Sequence, residues 1–257
     1  MIRQRLGAWI DVAALPFKLG SDAPSPVILM FHSISDNPPS VIRSVPAPTH
    51  RLSVFHDFVQ WLAPRARTVT IEQLVREIQA GTRNDAPTLA LTFDDGYRDN
   101  YTIAYPILQR YGCTATVFVT TQLIGGSYSL TSDMIREMHA AGIGFGSHTV
   151  THPALTQLSS DIVELELQQS KERLEDILQS ECVSLSYPFG DHDHRIEALA
   201  RNAGYHCALS AAVIHRLDEL FRMPRAQLRD WSSSVNFAIA LHGAQSWRRM
   251  LHLAEAT

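Results

Sequence analysis

Between residues 89 and 210 short apolar runs alternate regularly with amphipathic stretches of helical period, and this limits the possible folds more than any other feature. Apolar runs at 89–93, 115–120, 143–146, 183–187 and 206–210 have the length and continuity of strands buried on both faces. The stretches between them, at 101–111, 132–141, 160–178 and 195–203, repeat their apolar residues every three to four positions, as helices do. Strand and helix in strict alternation predict parallel strands joined by crossover helices. Candidate polar residues stand at the ends of several strands, where barrel enzymes assemble their sites, so the expected fold class is α/β, a (β/α) barrel. Upstream, residues 27–31 read as a first buried strand, followed by a proline-rich loop over 38–48 and helices over 54–62 and 71–81. Thr70 and Gln73 form a capping box at the start of the second helix.

With 257 residues, 45% of them hydrophobic, the chain suits one catalytic domain over 23–257 behind an extension at 1–22. In that extension Ile2, Leu6, Trp9, Ile10 and Ala13 fall at helical spacing beside Arg3 and Arg5. Such a helix packs on its own domain or lies on a membrane surface as a peripheral attachment. An uninterrupted stretch of about 18 apolar residues, as a spanning helix needs, is absent from the sequence. A net charge of -4 gives no basic face for a nucleic acid, which is excluded as a partner. Cys113, Cys182 and Cys207 are odd in number and show no CxxC spacing. They read as reduced thiols, and with no clear secretion signal they point to the cytoplasm, up to the inner face of its membrane.

Three motifs carry chemistry. Leu91-Thr92-Phe93-Asp94-Asp95-Gly96 ends an apolar strand in two adjacent carboxylates. Neighbouring strand residues face opposite ways, so Asp94 and Asp95 share a site only where the strand stops, as Gly96 indicates. Two carboxylates in a partly dry pocket repel unless a cation compensates them; otherwise the pair is a turn that caps the next helix. His148 and His152 in Ser147-His148-Thr149-Val150-Thr151-His152-Pro153 are spaced i, i+4, which on a helical turn places both on one face. Alone, such a pair is more often surface or core; with one carboxylate it is a common donor set for zinc. The third motif, Ser186-Tyr187-Pro188-Phe189-Gly190, forces a sharp turn after a strand, either an ordinary loop or one that aims a backbone N–H at a pocket.

Taken in order, LTFDDGY, ATVFV (115–119), GSHTVTHP and YPFG resemble the polysaccharide deacetylases, the family of chitin and peptidoglycan deacetylases, over residues 27–243. The resemblance implies a distorted barrel of fewer than eight strands. It places the catalytic base on Asp94 and the ligands of one divalent ion, zinc before others, on Asp95, His148 and His152. Many members carry, at the position of Ser186, an arginine that tethers the base. Here Arg225, in Met223-Pro224-Arg225, is the candidate for that charge partner; its alternative is a structural arginine. The family's late Leu-x-x-His motif, which supplies the general acid, is matched only loosely by residues 239–242. His32, at the end of the first strand, is the better candidate for the acid than His242, because exopolysaccharide deacetylases of the family open with a similar apolar-aromatic-His segment.

The implied reaction removes N-acetyl groups from an amino sugar in a bacterial polysaccharide, exopolysaccharide or lipid-linked oligosaccharide precursor. In it the backbone N–H of Phe189 serves the oxyanion, and Tyr187 and Trp231 offer faces to a sugar ring. Rival readings are an O-acetyl esterase or small-amide hydrolase of the same fold, and an inactive glycan-binding protein.

Overall fold

The structure, a computed structural model, describes residues 26–36, 49–82, 84–211 and 217–227. The first apolar run is strand β1 (Val27–Phe31), followed by β2 (Ser33–Ile34), β3 (Thr49–His50), helix α1 (Leu52–Leu62), β4 (Arg67–Thr68) and α2 (Ile71–Gln79). Then come β5 (Thr88–Phe93), α3 (Tyr105–Arg110), β6 (Thr116–Val119), α4 (Ser132–Ala140), β7 (Gly144–Ser147), α5 (Ser160–Leu178), β8 (Ser184–Ser186), α6 (His194–Asn202), β9 (Cys207–Leu209) and β10 (Ala226–Gln227). The extension at 1–22 and the loop at 38–48 lie outside the described residues. Among the described residues no helix is long and apolar enough to cross a membrane.

Strands pair in the order β10-β1-β5-β6-β7-β8-β9, with β4 against the start of β5, and every pair is parallel. This is the parallel sheet expected from the alternation, curled into a distorted barrel with seven strands on its path. Its two edges are bridged by one late segment. Met223 pairs with Leu209 of β9, exchanging hydrogen bonds with Ala208 and Ser210 (3.0 and 2.9 Å), and Ala226 registers with Leu29 of β1.

Alternation along the strands sorts side chains into two cores. Ile28, Ala90, Phe118, Cys207 and Leu209 form an inner cluster that Ile71, Leu74 and Val75 of α2 join. Leu29, Phe31, Leu89, Leu91, Phe93, Val117 and Phe145 point outward and pack with the helices. Apolar runs were needed because both faces of each strand are covered.

Local signals explain the helix ends. Thr70 Oγ1 accepts from the Gln73 N–H (3.2 Å), the Thr70 half of the expected capping box. The 101–111 stretch opens as a wide turn at Asn100–Ala104, in which the Tyr105 N–H reaches back to Asn100 O, and becomes α-helical only at Tyr105. Pro106 has no N–H to bond back four residues, which accounts for the widened turn before it.

Candidate active site

Strand parity decides where the two aspartates go. Ala90 lies in the inner cluster, and two steps on at each turn Thr92 and Asp94 keep its inward direction. Asp95 leaves the strand with φ 79°, and Gly96 follows at 74°, so the chain folds back over the mouth of the barrel. A side chain at Gly96 would also press on Val119, 3.1 Å away. Both carboxylates are buried.

Asp94 is held from two sides. Arg225, 1% exposed, donates from both terminal nitrogens to its two oxygens at 2.7 and 2.8 Å, and Ser186 Oγ donates at 3.2 Å. The same guanidinium donates to Ser186 Oγ (2.8 Å), Thr92 Oγ1 (3.3 Å) and the Ser210 carbonyl (3.2 Å). Burial alone would push the Asp94 carboxyl up, but the charges of Arg225 and His148 and the Arg225 hydrogen bonds outweigh it and hold the group at about 2.

The two histidines meet on a bend, not on the helical turn their spacing suggested: residues 148–154 form no helix. Thr149 and His152 take φ values of 64° and 63°, which re-aim the chain so that the rings lie edge-on with centroids 4.7 Å apart. The turn is pinned by Glu166 of α5, which accepts from the N–H groups of Val150 and Thr151 and from Thr151 Oγ1. His148 Nδ1 lies 2.7 Å from the Ser186 carbonyl, an acceptor, so Nδ1 carries a hydrogen and Nε2 is the nitrogen that offers a lone pair whenever the ring is neutral.

That lone pair faces a donor set. Asp95 Oδ1 lies 3.4 Å from His148 Nε2 and 3.6 Å from His152 Nε2, and the three ligand atoms all fall within 4.8 Å of one another. Tetrahedral zinc with bonds near 2.1 Å would separate neighbouring donors by about 3.4 Å. Two imidazole nitrogens and one carboxylate oxygen at these spacings fit such an ion and leave a fourth position open.

The third motif is a single tight turn. Phe189 has φ 60° and Gly190 69°, and a Cβ at Gly190 would come within 2.7 Å of the Ala211 nitrogen, so glycine is required there on both counts. The Phe189 N–H is one of the leading amides of this turn, which the turn itself cannot satisfy. Its ring, 60% exposed, stands edge-on to His152 at 4.6 Å. Asp95, Thr149, His152 and Phe189 are four of the five non-glycine residues with positive φ among the described residues. Each such conformation costs of order 1–3 kcal/mol, and here they gather at one place.

The family model for polysaccharide deacetylase matches residues 81–208, which contain all three motifs. The chain belongs to the polysaccharide deacetylase family. Relatives of the chain include YxkH of Bacillus subtilis, named for the same family, 31% identical over 69% of this chain and 61% of its own length. The poly-beta-1,6-N-acetyl-D-glucosamine N-deacetylase of Staphylococcus epidermidis is 26% identical over 66% of this chain and 65% of its own. The chain thus spans less than two thirds of either relative. Among solved structures, the deacetylase PplD of Streptococcus pyogenes, in complex with acetate, superposes with a TM-score of 0.77 at 26% identity, covering 85% of this chain and 99% of that one.

Arg225 and His32 lie outside the matched stretch. His32 keeps the inward parity of Ile28 and Met30 and follows Phe31, whose carbonyl accepts from the Asp94 N–H at 2.9 Å. Burial pushes its pKa down, although Asp94 and Asp95 pull it up. Its Nδ1 is buried with no hydrogen-bond partner among the described residues, and its carbonyl accepts from Asn100 Nδ2 (2.9 Å). Beneath it Ser33 Oγ donates to Asp99 Oδ2 at 2.5 Å.

Tyr187 corrects an expectation. Its ring is buried, stacked 4.7 Å from His192, and its hydroxyl donates to the Phe221 carbonyl at 3.0 Å, so it has no face for a sugar. Trp231 and His242 lie outside the described residues. Sequence reasoning missed Ser186 as a hydrogen-bonding link between Asp94 and Arg225, and it missed Glu166.

Proposed function

We propose that this chain is a divalent-metal-dependent N-deacetylase acting on an N-acetylated amino-sugar polysaccharide or its lipid-linked precursor. One observation carries the reading: a buried carboxylate kept ionised by Arg225 beside an Asp-His-His donor set of metal-binding dimensions. The Staphylococcus epidermidis relative, named for a poly-N-acetylglucosamine substrate, supports the substrate class.

With Asp94 held at about 2, the carboxylate is a weak base, able to take a proton only from a strongly acidified water. A divalent ion on Asp95, His148 and His152 would supply that acidity and polarise the acetyl carbonyl. Asp94 would take the water's proton, and the Arg225 fork would keep its second oxygen from turning away. The Phe189 N–H would donate to the oxyanion of the tetrahedral intermediate. His32 would give a proton to the departing amine, without which an amine leaves poorly.

The test is acetate release from chitooligosaccharides and poly-N-acetylglucosamine oligomers, with acetylated xylan and small amides as controls, before and after chelation. The reading expects release from the amino sugars, lost on chelation and restored by Zn²⁺. Turnover of xylan or small amides alone would overturn it. In the same assay Asp94→Asn should lower turnover by roughly 10² to 10⁴-fold yet still bind metal, whereas Asp95→Ala should lose the metal itself. Equal metal loss in both variants would defeat this division of roles.

A further inference from the structure

The turn between the two histidines has an unusual problem to solve. Thr149 and His152 are both left-handed, residues 148–154 make no regular structure, and the intervening amides point away from any strand partner. Val150 is half-buried and Thr151 exposed, yet both N–H groups find an acceptor within the protein. Here the acceptor is a side chain from a different element. Glu166, buried on α5, takes the Val150 N–H at 2.8 Å and the Thr151 N–H at 2.9 Å on Oε2, and the Thr151 hydroxyl at 2.6 Å on Oε1. One helical turn later Ser170 Oγ lies 2.7 Å from Ser147 Oγ, which in turn accepts from the Thr149 N–H at 3.1 Å. Helix α5 thus presents a polar stripe, Glu166 and Ser170 at i, i+4, amid the apolar residues Val163, Leu167 and Leu174 that seat it.

We propose that Glu166 is a positioning residue of the metal site, holding the Val150–Thr151 turn so that His148 and His152 converge before any ion arrives. The inference rests on the reading that Asp95, His148 and His152 hold a divalent ion. A carboxylate suits the task because one ionised oxygen can take two converging amides, and hydrogen bonds to a charged acceptor are the strong ones. Glutamine can imitate the arrangement. Its carbonyl oxygen can replace Oε2, and its amide can donate to the Thr151 hydroxyl, which accepts as well as donates. Alanine cannot.

The experiment compares Zn²⁺ affinity of the full chain, Glu166→Gln and Glu166→Ala by calorimetry against a competing chelator at one pH. Loss of an outer partner of a ligand typically costs about 10 to 100-fold in affinity. The expected result is a loss of that size for alanine and substantial rescue by glutamine. Alanine binding as tightly as wild type, or glutamine binding no better than alanine, would overturn the proposal. Should the alanine variant fail to fold, amide hydrogen exchange in the metal-free wild type decides: Val150 and Thr151 are expected to exchange slowly, and fast exchange at both overturns the proposal. A wild-type chain that takes up no Zn²⁺ defeats the metal reading beneath it. Equal binding by wild type and alanine defeats only the role of Glu166.

Discussion

The two walls of the site are built on opposite terms. On the wall formed by the ends of β5, β7 and β8 the named side chains are tied down, Asp94 by Arg225 and Ser186, His148 by the Ser186 carbonyl and the histidine turn by Glu166, while Ser184 Oγ at the start of β8 is buried with no hydrogen-bond partner among the described residues. On the wall formed by β1, β2 and the turn at 99–100, His32 Nδ1 and Asn100 Oδ1 are buried with no hydrogen-bond partner among the described residues. Burial there pushes Asp99 up to about 6, against the hydrogen bonds from Ser33, the Ile34 amide and Asn100. Buried polar groups are normally satisfied, so an exception at a site calls for a reason. The difference suggests a division of labour. The first wall is the one that fixes geometry, and the second is the one with hydrogen-bonding capacity at the mouth, on His32 Nδ1 and Asn100 Oδ1.

Stability measurements can break this contrast. Arg225→Met would leave the Asp94 carboxylate buried without its partner, and removing one member of a buried ion pair costs about 3–5 kcal/mol. His32→Ala should cost less than about 1.5 kcal/mol, because Nδ1 has no bond to lose, while lowering amide turnover by roughly 10² to 10⁴-fold with metal content unchanged. Urea midpoints that fell equally in the two variants would abolish the distinction between walls.

A smaller effect sharpens it. A carboxyl raised to about 6 in the folded protein binds its proton more tightly there than in the unfolded chain. Asp99 should therefore contribute a loss of stability as pH rises from about 4 through 6, amounting to roughly 1–3 kcal/mol at neutral pH. Asp99→Asn, which resembles the protonated acid, should raise stability at pH 7.5 and leave it nearly unchanged at pH 3.5. An equal change at both values would show that Asp99 is not strained by its charge. The smallest effect is Tyr187→Phe, which removes one hydrogen bond to Phe221 and should cost about 1 kcal/mol without altering turnover. A loss of activity there would return Tyr187 to the substrate.

Much of this was legible before the fold was known, for physical reasons that differ by element. Long apolar runs named β1 and β5 almost to the residue, because burial on both faces leaves no polar interruption. The two-residue strands β2, β3, β4 and β10 are too short to carry any period. Asp94 and Asp95 were readable because they are contiguous, and Arg225 because Ser186 stands where the resembled family carries the tethering arginine, so that a charge partner for Asp94 had to come from elsewhere. Ser-Leu-Ser-Tyr in β8 could have corrected Tyr187 at once: if Ser184 and Ser186 face inward, Leu185 and Tyr187 face the helices, as the outer core shows. The bend at 148–152 was not readable, since neither threonine nor histidine announces a left-handed conformation. Glu166 was hidden for a related reason. On a helical pattern it reads as one more solvated glutamate, and only the loop it meets makes it buried.

The segment that bridges β9 to β1 also carries Arg225, which lies 131 residues after Asp94 in the chain. During synthesis Asp95, His148 and His152 have all emerged before Arg225, which follows His152 by more than seventy residues. A nascent chain would therefore carry an unmated Asp94, with the sheet still open along the same seam. Closure of the barrel and the pairing of Asp94 are then one event, and any lesion that delays docking of that last segment delays both.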